Sequence, residues 1–156
     1  MSTVQTWEVE STSLEKTLEI AALVGQKLKG GEVIELVSDL GGGKTVFVKG
    51  VARGMGVKDI VGSPSFTLSS EYKAGDLTLH HYDFYRLGEA GLMTNTLAEV
   101  IGKPETVVAV EWADLVVDTV LPADRLSIHI RAVDDNSRHI RFSYPEHLVY
   151  LIPANT

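Results

Sequence analysis

The sequence predicts an α/β fold: one domain over residues 1–156, with a mixed central sheet and helices on both faces. Three observations carry this expectation. The apolar, alternating run Val33-Ile34-Glu35-Leu36-Val37 reads as a strand, and Val46 to Arg53 fits a helix, with a glycine-rich turn between them. A strand candidate, Thr6 to Glu10, and a helix candidate come before that run, giving a β–α–β order. Thr106-Val107-Val108-Ala109-Val110 is continuously apolar, as expected of a strand covered on both faces.

The turn after the second strand organises the rest. It reads Ser38-Asp39-Leu40-Gly41-Gly42-Gly43-Lys44-Thr45. A strand, a glycine-rich turn, Lys-Thr and then a helix form the context of a phosphate-binding loop. Glycines let successive backbone N–H groups converge on one anion without obstruction from Cβ atoms. The helix N-terminus adds unpaired N–H groups and partial positive charge. Lys44 would reach the β- and γ-phosphates of a nucleotide, and the Thr45 hydroxyl would ligate Mg²⁺. The expected fold is therefore P-loop NTPase-like. Position 38 is Ser where the usual loop pattern has Gly, so either that position takes an ordinary backbone conformation or the loop is strained.

Taken in order, Thr12-Ser13-Leu14-Glu15 matches a helix capping box with Thr12 as the cap. Leu14, Leu18, Ala21, Ala22, Gly25 and Leu28 keep helical spacing, and Gly30-Gly31 is the expected stop. The second helix should end near Gly54-Met55-Gly56. Leu68 to Tyr72 and Leu77 to Tyr85 read as strands joined through Lys73-Ala74-Gly75-Asp76. Residues 87–101 are expected to be helical, and Lys103-Pro104-Glu105 a turn. Leu126 to Arg131 and His139 to Phe142 read as a hairpin around Asp134-Asp135-Asn136-Ser137. A short helix is expected after Pro145, with the last residues frayed.

Composition bounds the function. A net charge of −7 argues against a free-standing nucleic-acid binder. The absence of cysteine removes disulfides and thiolate zinc sites and fits a reducing compartment. The N-terminus has no basic and apolar leader pattern, and no apolar run approaches the roughly 18 residues of a bilayer span. The expected location is cytoplasmic.

A phosphate loop needs a second carboxylate to hold Mg²⁺, usually at the C-terminal end of a neighbouring buried strand. Glu111, at the end of the run from Thr106, supplies one; the alternative is a solvated strand-end acid. Trp112 reads first as core packing and second as a nucleotide contact. Alternation puts His81, Asp83 and Tyr85 on one strand face and His80, Tyr82 and Phe84 on the other. Asp83 could orient an attacking water, His81 and Asp83 could form a metal pair, or the face could be the wet side of an antiparallel sheet; spacing leaves all three open. Ser63-Pro64-Ser65-Phe66-Thr67 is either a plain turn or a loop that senses a γ-phosphate. No arginine-rich lid precedes Glu111, which weakens a kinase reading.

Together these stretches resemble the TsaE family, bacterial ATPases that support tRNA threonylcarbamoyladenosine synthesis. The phosphate loop with Phe47 and Gly50, the Ser63–Thr67 loop, His81-Tyr82-Asp83-Phe84-Tyr85-Arg86-Leu87 and Glu111-Trp112 match the family signatures in order and spacing. Two positions depart: Ser38 where the family has Gly, and Gly42 where it has Ala. The resemblance implies binding of ATP and Mg²⁺ with weak hydrolysis by the isolated chain. It implies partners of the TsaD and TsaB type, which transfer the threonylcarbamoyl group to the adenosine beside the anticodon. ATP hydrolysis would reset that complex, tRNA would be met only through it, and no membrane is involved. Carried over residue by residue, Gly41, Gly42, Gly43, Lys44, Thr45 and Val46 bind phosphates, and Thr45 with Glu111 holds Mg²⁺. Lys44, Asp83, Glu111 and Thr67 are the expected catalytic residues, Asp83 supporting hydrolysis and Thr67 belonging to the switch loop. Trp112 and Ser13 are expected nucleotide contacts. A small-molecule kinase and a non-hydrolysing nucleotide-gated adaptor are the alternatives.

Overall fold

The computed structural model describes residues 4–38, 43–58, 69–83, 99–112 and 124–155; for Lys44, Asp83 and Trp112 it describes the backbone alone. Within these ranges lie seven strands: β1 (Val4–Ser11), β2 (Val33–Ser38), β3 (Ser69–Ala74), β4 (Leu77–Asp83), β5 (Thr106–Trp112), β6 (Leu126–Ala132) and β7 (Arg138–Pro145). They form one sheet in the order β1-β7-β6-β2-β5-β4-β3. β2 runs parallel to β5 and β6, and β4 parallel to β5, whereas β1–β7, β6–β7 and β3–β4 are antiparallel. The sheet is mixed, as expected. β2 lies at its centre, and its carboxyl end opens where ligands bind in parallel sheets.

Two α-helices, α1 (Leu14–Gln26) and α2 (Lys44–Met55), cover one face. In α1 the buried residues Thr17, Ile20, Ala21, Val24 and Gly25 recur at three- and four-residue intervals, the stripe of a helix docked on a core. Ile20, Ala21 and Val24 share one cluster with Phe47, Val48, Val51 and Ala52 of α2 and with Ile34, Leu36, Val107, Ala109, Leu126, Ile128, Ile140 and Phe142 of the sheet. The Phe142 ring meets Phe47 edge-on at 6.1 Å and Trp7 at 5.3 Å. The other face is buried too: Val33, Val108, Val110 and Tyr82 are 2% exposed or less. There Glu35 accepts from Ser127 Oγ at 2.6 Å and from Arg125 Nε at 3.2 Å, so its buried charge is paired. The expected helix over 87–101 falls mostly outside the described residues; Glu99 and Val100 are helical.

Three local expectations need correction. Ser13, not Thr12, caps α1: its backbone is extended and its Oγ accepts from the Lys16 N–H at 3.0 Å. Ser11 sets this register by donating from Oγ to the Ser13 carbonyl at 2.8 Å and by sharing a 2.7 Å hydrogen bond with Thr17 Oγ1. Second, α1 stops at Gln26 rather than at Gly30-Gly31. Those glycines belong to the turn into β2, where the Glu32 carboxylate accepts from Lys29 N–H at 2.8 Å, Gly30 N–H at 2.7 Å and Tyr150 O–H at 2.7 Å. Burial first, and that hydrogen bond second, push the Tyr150 hydroxyl pKa up. Third, while the expected short helix after Pro145 is present as the 3-10 helix Glu146–Leu151, the chain from its last residue on is anchored: Leu151, Ile152 and Pro153 are buried.

The first hairpin is tighter than expected. Ala74 pairs with Leu77, leaving Gly75-Asp76 as the two-residue turn, with Gly75 at φ 63°. Ser38, the departure from the loop pattern, is the last residue of β2 and pairs with Ile130. It is extended, so a side chain there carries no left-handed strain.

Candidate functional site

The site lies at the start of α2. Gly43 is its N-cap, at φ 105°, a backbone region that side chains disfavour. Having no side chain, Gly43 cannot cap the first turn as Ser13 caps α1. The first-turn N–H groups of a helix with such a cap point to where anions bind. Lys44 and Thr45 are the first residues of this helix, which begins two positions before the expected Val46.

β5 brings the carboxylate. Glu111 pairs with Leu36 of β2 on one side and with Asp83 of β4 on the other. Its side chain is only 2% exposed. Thr45 Oγ1 donates to Glu111 Oε1 at 3.3 Å, across 66 residues of sequence. The reading of Glu111 as a solvated strand-end acid is therefore excluded. Two oxygen ligands meet at the open end of a helix, which suits a hard cation such as Mg²⁺. A buried carboxylate whose described partners are a hydroxyl and an imidazole also fits a positive charge beside it.

The imidazole is His81. Its Nε2 lies 3.0 Å from Glu111 Oε2, and the residue is fully buried. This overturns the wet-face reading of the His81 strand face. The register of β4 on β5 pairs His81 with Ala109, a core residue under the helices, and so puts His81 on the helix-covered side. Among the described residues no cluster of three or more His, Asp or Glu side chains could hold a metal; the suggested His81–Asp83 metal pair involves the Asp83 side chain, which lies outside what the structure describes. His80, one residue earlier, is half-buried on the opposite face, and burial lowers its pKa.

A cavity of about 180 Å³ adjoins Gly43, lined by Leu14 and Thr17 of α1, Val46 of α2, and Asp135, Asn136 and Arg138 of the β6–β7 hairpin. The guanidinium Nε of Arg138 lies 3.7 Å from where a Cβ on Gly43 would stand. The hairpin holds its own shape: Asp134 Oδ1 accepts from Asn136 N–H at 2.9 Å and Ser137 N–H at 2.7 Å, and these bonds lower the Asp134 pKa. Sequence reasoning saw only a turn here. The available signal was the polar run Asp134-Asp135-Asn136-Ser137-Arg138 after a strand that proves to be parallel to β2.

The structure thus gathers Gly43, Thr45, Val46 and Glu111, with the backbones of Lys44 and Asp83 alongside. Trp112 continues β5 opposite Val37. Ser13 adjoins Leu14 at the cavity, with its hydroxyl engaged as the α1 cap. Gly41, Gly42 and Thr67 lie outside the described residues.

Comparison with known proteins agrees with this geometry. A sequence model described as threonylcarbamoyl adenosine biosynthesis protein TsaE matches residues 11–140. The tRNA threonylcarbamoyladenosine biosynthesis protein TsaE of Bacillus subtilis (strain 168) is 41% identical over 134 residues, 83% of this chain and 80% of that protein. Its counterpart in Aquifex aeolicus is 39% identical over 136 residues, 86% of this chain and 93% of that one. The crystal structure of Bacillus subtilis YdiB superposes with a TM-score of 0.77 at 36% identity, covering 94% of this chain and 90% of that chain. On these matches the P-loop NTPase-like α/β fold is shared, and the chain belongs to the TsaE family.

Proposed function

We propose that this chain is a Mg²⁺-dependent ATPase that serves tRNA threonylcarbamoyladenosine biosynthesis in the cytoplasm as a subunit of an assembly with TsaD-type and TsaB-type proteins. The observation that carries the reading is the meeting of Thr45 and Glu111 at the uncapped start of α2. In it, the first-turn amides of α2 and the Gly41–Gly43 backbone hold the β- and γ-phosphates. The Lys44 ammonium adds a point charge there. Thr45 Oγ1 and the Glu111 carboxylate hold Mg²⁺, which neutralises charge on the phosphates. Asp83, in register with Glu111, orients the attacking water. Thr67 belongs to the loop that responds to the γ-phosphate, and Ser13 and Trp112 contact the nucleotide. The cavity between α1 and the β6–β7 hairpin offers room for the rest of the nucleotide.

Transfer to tRNA belongs to the partners in this reading, consistent with a chain of net charge −7. No helix among the described residues is long and apolar enough to cross a membrane. The test is phosphate release from ATP by the purified chain, alone and with TsaD-type and TsaB-type proteins. Slow release that rises on adding the partners is expected. Phosphate appearing on a metabolite would instead identify a kinase, and ATP-dependent association without any release an adaptor.

A further inference from the structure

We propose that His81 is a positioning residue for Glu111, holding one carboxylate oxygen so that the other is presented to the divalent cation. This rests on the Mg²⁺–nucleotide reading above. Glu111 has two oxygens, and its two described partners divide them. His81 Nε2 engages Oε2 at 3.0 Å, and Thr45 Oγ1 donates to Oε1 at 3.3 Å. An ionised carboxylate only accepts hydrogen bonds, so the proton of a neutral imidazole must sit on Nε2. That donor ties Oε2 and keeps the carboxylate from rotating. Oε1 remains beside Thr45, the other expected cation ligand.

The second ring nitrogen separates this role from a purely structural one. Among the described residues, His81 Nδ1 is buried with no hydrogen-bond partner. A buried polar atom left unpaired opposes folding, so the imidazole is a poor choice for filling this space. An apolar side chain of similar size would pack there without that penalty. What only a donor at this position supplies is the bond to Glu111. Carboxylates that bind metals are commonly fixed by such outer hydrogen bonds, whose loss weakens metal affinity by about 10- to 100-fold.

The experiment measures ATP affinity with Mg²⁺ and with EDTA for the wild-type chain, His81→Leu and His81→Gln. The readout is the enhancement of affinity by Mg²⁺. His81→Leu should reduce that enhancement by about tenfold or more and leave the EDTA affinity nearly unchanged. His81→Gln, whose amide can donate to the same oxygen, should restore most of it. A nitrogen NMR measurement on the wild type adds a readout that needs no variant to fold. The His81 ring should carry a proton at Nε2, and its signals should move on binding Mg²⁺–ATP more than on binding ATP in EDTA. An unchanged Mg²⁺ enhancement in His81→Leu overturns the inference, as does a ring protonated at Nδ1 alone. Equal loss of affinity with Mg²⁺ and with EDTA in both variants assigns His81 a structural role and also overturns it. A wild-type chain that binds ATP with no Mg²⁺ enhancement defeats the metal reading itself, and this inference with it.

Discussion

Glu111→Gln is expected to lower Mg²⁺-dependent ATP turnover by about 100-fold, close to 2.7 kcal/mol of transition-state stabilisation. The substitution keeps the shape of the side chain. Its amide oxygen can still accept a hydrogen bond from Thr45 or His81, so little packing is lost. What disappears is the negative charge proposed to hold the cation together with Thr45. Stability should change by no more than about 1 kcal/mol, because a buried charge is removed along with any weakened hydrogen bond. Parallel measurement of phosphate release and thermal unfolding separates the two effects. A variant that unfolds early would point to a structural carboxylate; one that turns over at the wild-type rate would remove Glu111 from the metal site.

Gly54→Ala should destabilise the protein by about 2–3 kcal/mol, lowering Tm by roughly 4–12 °C for a chain of this size. Helix propensity predicts the opposite sign, since Ala in a helix interior is favoured over Gly by about 1 kcal/mol. Packing should win. A Cβ on Gly54 would collide with the Ala22 carbonyl oxygen and stand 2.8 Å and 2.9 Å from its carbonyl carbon and Cα. All three atoms are backbone, so no side chain can swing away. Gly25 faces the Val51 carbonyl in the same manner from the other helix. α1 and α2 therefore cross almost backbone to backbone. This contact also fixes the axis of α2, whose first turn is the proposed phosphate site. Thermal unfolding of Gly54→Ala decides between the two signs.

These two sites show where sequence is informative. The strand before Lys44 and Thr45 and the helix that they begin are legible because strand, glycines and helix follow one another directly in sequence. Glu111 was legible once a buried strand ending in an acid could be paired with that glycine-rich turn. His81 was not. Alternation placed it on one face of β4 but could not tell which face would be covered. That depended on parallel pairing with β5, a long-range contact with no local signature. The role of Gly54 was hidden for a related reason. Near Gly56 it resembled a helix stop, and only the approach of α1 reveals that its missing side chain matters. The capping error was smaller and had a local cause: Thr12 and Ser13 are both good caps, and the hydrogen bonds of Ser11 chose between them. Glu35 is an acid in the central strand, and its partners Arg125 and Ser127 lie about ninety positions away, so nothing near it in sequence announced a paired buried charge.

We propose that the start of α2 binds the phosphates of a nucleotide together with Mg²⁺. Calorimetric titration of Mg²⁺–ATP into the wild-type chain and into Lys44→Ala tests it most directly. The wild type should bind saturably, and removing one charged donor should weaken binding by about 10- to 100-fold, the equivalent of 1.5–3 kcal/mol. Equal affinity in the two proteins, or no binding by the wild type, would contradict the account.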